Sequence, residues 1–151
     1  MKIAIGADHR GYELKQRLIE FMKKERHEVI DCGTNSVEPC DYPPIAYEVG
    51  RAVSKGRADR GILICMSGIG MSIMANKVPG VRAAMCDTVD CARLSREHND
   101  ANIIIISSKY VQDKPEEMLK AFFTTDMTAE RHKKRVDQIK EIEQKILKGK
   151  M

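Results

Sequence analysis

Five short apolar segments, separated by longer stretches, constrain the fold of this chain more than any other feature. They cover residues 2–7, 28–32, 61–65, 81–86 and 102–107, and the last contains four consecutive isoleucines. The segments lack a regular alternation of apolar and polar residues, which is typical of strands buried on both faces of a parallel sheet. The sequence therefore predicts an α/β fold, a doubly wound five-stranded parallel sheet in a Rossmann-like three-layer sandwich.

Helical spacing fills the stretches between these strands. Residues 12–26 and 43–55 place apolar residues three and four apart, and a third helix is predicted to begin near Met71. Beyond the last strand, residues 129–148 form a predicted extra helix with one apolar stripe, made of Val136, Ile139, Ile142 and Ile146. This helix packs on its own chain or on a partner subunit. We expect one domain over residues 1–151.

Composition excludes several classes of protein. No apolar run approaches the roughly 20 residues of a membrane helix, and a charge follows the start of the chain too early for a signal peptide, so we expect a cytoplasmic protein. The five cysteines are odd in number and form no Cys-x-x-Cys pair, which argues against a disulfide framework or structural zinc. The net charge of +4 arises within residues 128–151, and no nucleic-acid-binding motif accompanies it, so we expect no nucleic-acid partner.

Ligands of such sheets bind at the carboxyl ends of the strands, where the strand order reverses. Asp8 and His9 follow the first strand, and residues 65–70 follow the third. Glycines at positions 68 and 70 allow the backbone N–H groups of this turn to approach an anion. Cys65 lies at the same helix start, which favours a lowered thiol pKa. Taken alone, Cys65 could equally complete a buried strand.

Other phosphate-binding and nucleophilic motifs are absent. No G-x-x-x-x-G-K-[ST] run exists, and the dinucleotide pattern G-x-G-x-x-G fails at Ile73. A cysteine-dependent phosphatase would need an arginine at position 71, which is methionine. His98 lies before the fifth strand, and Arg131 and Arg135 share one helix face, but turn chemistry and solvent exposure would explain these residues equally well.

Together these segments resemble the type-B ribose-5-phosphate isomerases, which form a wider group with the galactose-6-phosphate isomerase subunits. The matching segments occur in order along almost the whole chain: IGADHRGY (5–12), DYP (41–43), GILICMSGIGMSI (61–73), ANK (75–77), REHNDAN (96–102), RH (131–132) and RV (135–136). The resemblance implies an aldose–ketose isomerase of the pentose phosphate pathway that interconverts ribose 5-phosphate and ribulose 5-phosphate. It implies neither a metal nor an organic cofactor, and a homodimer or a tetramer as the assembly.

The resemblance also implies roles for individual residues. Cys65 would be the base that moves a proton between C2 and C1, assisted by Ser67, and Asp8 and His98 would serve ring opening. The backbone N–H groups of residues 67–70 would hold the enediolate oxygen. Substrate and phosphate contacts would come from His9, Tyr42, Met66, Gly68, Ile69, Gly70, Asn99, Lys109, Arg131 and Arg135. In a dimer, His98 and Asn99 would reach the Cys65 loop of the neighbouring subunit.

Two residues depart from the family pattern. Met66 replaces a usual glycine in the anion-binding loop, and Lys109 replaces a usual phosphate-binding arginine. A lysine keeps the charge but loses the two-pronged grip. Two alternatives therefore stay open: an isomerase of a hexose 6-phosphate, such as allose or galactose 6-phosphate, or of a tetrose 4-phosphate, and a non-catalytic phosphate- or nucleotide-binding module. The residues Arg131, Arg135 and 98–100 favour the pentose, because galactose-6-phosphate subunits generally lack them.

Overall fold

The computed structural model describes all 151 residues and contains one sheet of five parallel strands in the order β2-β1-β3-β5-β4. The strands are β1 (Lys2–Ala7), β2 (Glu28–Asp31), β3 (Arg60–Cys65), β4 (Ala83–Met85) and β5 (Ile103–Ser107). The helices are α1 (Tyr12–Lys24), α2 (Tyr42–Ser54), α3 (Ile69–Ala75), α4 (Val89–Asn99), α5 (Pro115–Thr124) and α6 (Glu130–Leu147). The chain adds β2 on one side of β1 and the later strands on the other side, so the strand order reverses between β1 and β3. The predicted fold class is confirmed.

Two apolar layers enclose the sheet, as the doubly wound prediction requires. On one face the side chains of α1, α4 and α5 pack on alternate strand residues such as Ile62, Ile64 and Ile104. On the other face α2 and α3 pack on Leu63 and Ile105, among others. Burial on both faces explains why the strands read as continuous apolar runs.

The boundaries of some elements differ from the predictions by a few residues. The third helix begins at Ile69 rather than Met71, because Gly68 adopts a left-handed backbone (φ 84°) and starts the helix itself. The fourth strand is limited to Ala83–Met85. Before it, the Val81 N–H closes a turn onto the Val78 carbonyl instead of joining the sheet.

The last helix is buried against its own chain near its start, and farther along Glu143 accepts a hydrogen bond from the Gly80 N–H at 3.0 Å. Near its start, His132 and Val136 are buried where α6 lies on α4. Farther along, Ile139, Ile142 and Ile146 are each about half exposed, at 49%, 55% and 52%. The predicted apolar stripe is therefore split between contacts in this chain and open surface. None of the six helices combines the length and apolar character that a membrane crossing requires.

Candidate active site

The central strands bring three loops together at the carboxyl edge of the sheet. The Asp8 N–H donates to the Ile64 carbonyl at 3.1 Å, which ties the loop after β1 to the end of β3. The Ser108 N–H donates to the Cys65 carbonyl at 2.9 Å, which ties the loop after β5 to the same point. Residues that follow three different strands thus meet around Cys65, at the predicted switch point of the sheet.

Cys65 is buried, with 6% of its surface exposed, and its sulfur faces backbone donors. The Gly68 N–H lies 3.1 Å from Sγ. Burial raises the pKa of the Cys65 thiol above its ordinary value of 9.0, and the Asp8 carboxylate adds to this, while the N–H groups of Gly68, Met71 and Ser67 oppose it. The sequence-based expectation of a lowered pKa is therefore wrong for the free chain, because desolvation outweighs the helix start.

The loop after Cys65 also fixes the position of Tyr42. Tyr42 is the first residue of α2, and its side chain is 37% exposed. A Cβ atom at position 70 would lie 2.5 Å from the Tyr42 ring, so only glycine lets the ring pack against this backbone. The Ile69 N–H donates to Ser67 Oγ at 3.3 Å, which orients the hydroxyl within the loop.

Asp8 and His9 are held by backbone groups. Asp8 Oδ1 accepts from the N–H groups of Arg10 (2.9 Å) and Gly11 (3.1 Å). His9 Nδ1 accepts from the Cys40 N–H at 3.2 Å. A ring nitrogen that accepts carries no proton in the neutral imidazole, so the proton lies on Nε2. The Nε2–H group is then the donor that His9 offers to an anion.

Met66 and Lys109, which were predicted to contact the substrate and its phosphate, lie beside this site. Met66 is 36% exposed, and its Sδ is 3.4 Å from Nη1 of Arg10. Lys109 is exposed with Nζ over the Tyr110 ring, and its N–H donates to the Met66 carbonyl at 3.2 Å. Sequence reasoning missed Arg10, although a cation directly after the Asp8-His9 pair was a visible signal.

A cavity of about 260 Å³ adjoins the Cys65 loop on the side of β4 and β5. Its wall is mainly apolar, and Ser67, Ser107 and Asp87 provide the polar groups. Ser107 is buried and donates from Oγ to the Met66 carbonyl at 2.6 Å, so it braces the loop. Ser107 could not be recognised from the sequence, because a serine at the end of a strand is common. The structure has no group of three or more His, Cys, Asp or Glu side chains able to hold a metal ion.

A second cluster of predicted site residues lies at the opposite edge of the sheet. Helix α4 starts after β4 and runs back to the amino edge, where it ends with His98 and Asn99. The His98 ring stacks on the ring of His132 at 4.1 Å between centroids, with 23° between the planes. Arg131 and Arg135 flank His132 on α6 and are exposed. Burial, followed by the neighbouring His98 and these two arginines, lowers the pKa of His132.

Within one chain, the cluster around His98 lies far from the cluster around Cys65. The carbonyls of Asn99 and Asp100 accept from Nε of Arg82, which directly precedes β4. Strand β4 begins at Ala83, which pairs with Ile103 of β5, and Ile103 in turn pairs with Gly61 of β3. The segment of β3 from Gly61 to Cys65 spans roughly 13 Å at the usual rise per residue of a strand. His98 and Asn99 therefore do not share a site with Cys65 of the same chain. The residues around Cys65 do come together: Asp8, His9, Tyr42, residues 66–70 and Lys109.

Comparison with known proteins places this geometry in a family. The model of a family described as Ribose/Galactose Isomerase matches residues 3–139. The chain belongs to this isomerase family. The prediction of family and enzyme class, made from the resemblance of the segments around Asp8, Cys65 and His98 to this family, is confirmed.

Relatives within the ribose/galactose isomerase family extend over nearly the whole chain. Ribose-5-phosphate isomerase B of Escherichia coli is 43% identical, over 95% of this chain and 97% of the relative. The structure of Clostridium thermocellum ribose-5-phosphate isomerase B has a TM-score of 0.93 at 48% identity, with 97% and 99% of the two chains covered. That of the Mycoplasma genitalium enzyme with bound ribulose-5-phosphate has a TM-score of 0.90 at 36% identity, covering 95% and 96%. Other relatives, from Bacillus subtilis and Rickettsia, are described only as sugar phosphate isomerases.

Proposed function

We propose that this enzyme interconverts ribose 5-phosphate and ribulose 5-phosphate in the cytoplasm, with Cys65 as the base. The observation that supports this most is the placement of the buried Cys65 sulfur, 3.1 Å from the Gly68 N–H and beside Asp8, at the carboxyl edge of the central strand. The thiolate removes the proton from C2 of the open-chain aldose. The C–H electron pair forms a C1–C2 double bond, and the C1 carbonyl oxygen becomes negatively charged.

The raised pKa of Cys65 suits proton abstraction from carbon. A base with high proton affinity removes such a proton more readily, although less of it is ionised near neutral pH. After the enediolate forms and a proton passes from O2 to O1, the Cys65 thiol returns its proton to C1. The C2 oxygen then becomes the ketone, so no redox partner is consumed.

Backbone donors of the loop stabilise the enediolate in this proposal. The Gly68 N–H already faces the Cys65 sulfur and the Ile69 N–H faces Ser67 Oγ. The Gly70 N–H forms no hydrogen bond within the chain and is available to the enediolate oxygen. Such a fixed donor does not have to reorganise when the charge develops. Tyr42, packed on Gly70, and Asn99 orient the sugar hydroxyls, and Asp8 and His98 exchange protons during ring opening.

The phosphate site combines an imidazole with cationic side chains. His9 offers Nε2–H, because Nδ1 accepts from the Cys40 N–H. Arg131 and Arg135 are exposed on one face of α6, and their guanidinium groups can pair with phosphate oxygens two at a time. Lys109 adds a single charge from the loop after β5.

These residues belong to one site only if two subunits share it. His98, Asn99 and the α6 arginines lie at the amino edge of the sheet, and Cys65 lies at the carboxyl edge. A two-fold dimer would place the amino-edge cluster of each subunit on the Cys65 loop of the other. Exposed apolar side chains next to that loop support such a contact, with Ile69, Ile73 and Met85 at 57%, 58% and 45% exposure.

An assay with a panel of sugar phosphates tests the substrate. The wild-type enzyme incubated with ribose 5-phosphate should produce ketose, and Cys65→Ala should not. Allose 6-phosphate, galactose 6-phosphate and a tetrose 4-phosphate serve as competitors of other lengths. If a hexose or tetrose phosphate reacts faster than the pentose, the family assignment stands and the proposed substrate is wrong. If no sugar phosphate reacts, the non-catalytic binding alternative gains support.

A further inference from the structure

Lys15 is a buried cation for which the proposed reaction has no use. It lies on the face of α1 that packs on the sheet, and its side chain has no exposed surface. Its Nζ is 2.5 Å from Oδ1 of Asp31 and 2.7 Å from the carbonyl oxygen of Thr34. Burying an ammonium group costs free energy, whereas burying an apolar side chain is favourable, and an ion pair recovers the cost of the buried charge only in part. A role beyond stability would explain why a charge lies here.

The contacts of Lys15 hold the start of the loop formed by residues 32–41. Asp31 Oδ1 also accepts from the Gly33 N–H at 2.9 Å. The Thr34 N–H donates to the Ala7 carbonyl at 2.7 Å, and the Ala7 N–H donates to the Gly33 carbonyl at 2.8 Å. The ammonium group thus fixes Gly33 and Thr34, which are the residues that hydrogen-bond to Ala7. Ala7 directly precedes Asp8 and His9.

The other end of the same loop touches the site as well. The Cys40 N–H donates to His9 Nδ1 and so selects the imidazole tautomer with its proton on Nε2. Residues 41–42 then lead into α2, where Tyr42 packs on Gly70. One loop therefore supports the backbone beneath Asp8, the ring of His9 and the ring of Tyr42.

We propose that Lys15 is a positioning residue of the active site. By binding Asp31 and the Thr34 carbonyl it anchors the loop 32–41, and through that loop it sets the position of Asp8 and the tautomer of His9. The functional consequence rests on the roles proposed above for Asp8 and His9. Lys15 itself touches no reacting group.

The tautomer of His9 provides a readout that does not depend on catalysis. Nitrogen-15 NMR of the imidazole in wild type should show Nδ1 unprotonated and Nε2 protonated. Lys15→Met keeps the length of the side chain and removes the ammonium group, and Asp31 stays solvated because 36% of its side chain is exposed. We expect His9 of this variant to populate both tautomers. Leu18→Ala is the matched control, because Leu18 is fully buried on the same helix face and has no bond to the loop.

Kinetics of the same variants separate positioning from stability. Lys15→Met should lower kcat/KM for ribose 5-phosphate by about tenfold or more, since small misplacements of catalytic groups are costly. Asp31→Asn keeps an acceptor for Lys15 and Gly33 and should stay within about threefold of wild type, whereas Asp31→Ala should resemble Lys15→Met. Leu18→Ala should lose thermal stability but keep kcat/KM below its melting temperature.

The outcomes distinguish this proposal from the proposed function. An unchanged His9 tautomer in Lys15→Met and Asp31→Ala would overturn the positioning role, even if the enzyme isomerises ribose 5-phosphate. A wild-type protein without isomerase activity would overturn the proposed function, and the NMR comparison would still decide the role of Lys15. Should Lys15→Met fail to fold, Asp31→Ala provides the same two readouts.

Discussion

Mixing two inactive variants tests whether the active site is built from two subunits. Cys65→Ala removes the proposed base at the carboxyl edge, and His98→Asn removes the ring at the amino edge. Because about 13 Å of β3 separates these edges within one chain, each variant damages one half of a shared site. Homodimers of either variant should be nearly inactive, since both of their sites contain the lesion.

The expected recovery follows from the geometry of a two-fold dimer. After the variants are unfolded and refolded together, about half of the dimers are mixed if pairing is random. In each mixed dimer one site contains both lesions and the other contains neither, because each site takes Cys65 from one chain and His98 from the other. The mixture should regain roughly a quarter of the wild-type activity per site.

Ketose formation from ribose 5-phosphate measures the recovery, and a mass tag on one variant counts the mixed dimers. Each variant refolded alone is the control for residual activity. If mixed dimers form and no activity returns, Cys65 and His98 do not complement each other across an interface. The shared site would then be refuted, and the isomerase assignment would remain.

Three further predictions concern the base, the Tyr42 contact and the phosphate. Because burial raises the pKa of Cys65 above 9.0, the thiolate is a minor species at pH 7, and kcat/KM should rise roughly tenfold per pH unit towards that pKa; a flat profile from pH 7 to 9 would exclude a Cys65 base with a raised pKa. Gly70→Ala should lower kcat/KM by about tenfold, since its Cβ would lie 2.5 Å from the Tyr42 ring and displace it; unchanged kinetics would remove Tyr42 from the site. Lys109→Arg should lower both KM and the inhibition constant of inorganic phosphate, by about twofold or more; no change would place Lys109 outside the phosphate site.

Much of the fold could be predicted because its strands are buried on both faces. The four isoleucines of β5 and the apolar run of β3 can be recognised without any partner information. Helix α4 is harder, because its buried side includes Ser95 and Arg96 in place of a clear apolar stripe. Arg96 is satisfied through the Asp100 carboxylate and the carbonyls of Ala101 and Thr125, which are contacts that the sequence does not display.

In the candidate site, too, features that depend on local sequence could be predicted, and features that depend on tertiary contacts could not. The loop after Cys65 was visible as a glycine-rich turn between a strand and a helix. The raised pKa of Cys65 could not be predicted, because only the helix start is visible in the local sequence. Desolvation and the nearby Asp8 carboxylate, which raise the pKa, arise from the packed sheet. The stacking of His98 on His132 joins two distant helices and could not be read from either segment.

Lys15 shows the same limit most clearly. A lysine four residues into a helix reads as a solvent-exposed side chain, and nothing near it in the sequence indicates otherwise. Its burial depends on Asp31, which ends the next strand, and on Thr34, which follows that strand. Only the assembled fold reveals this ion pair beneath the proposed site.

Turnover and binding by Cys65→Ala test the proposed proton transfer most directly. The variant should isomerise ribose 5-phosphate at least ~10²-fold more slowly than wild type, the low end for a positioned acid–base group. Calorimetry should show that it still binds the sugar phosphate, because His9, Arg131, Arg135 and Lys109 are intact. Lost turnover with retained binding is the result expected if Cys65 moves the proton between C2 and C1. Near-normal turnover by Cys65→Ala would contradict that role.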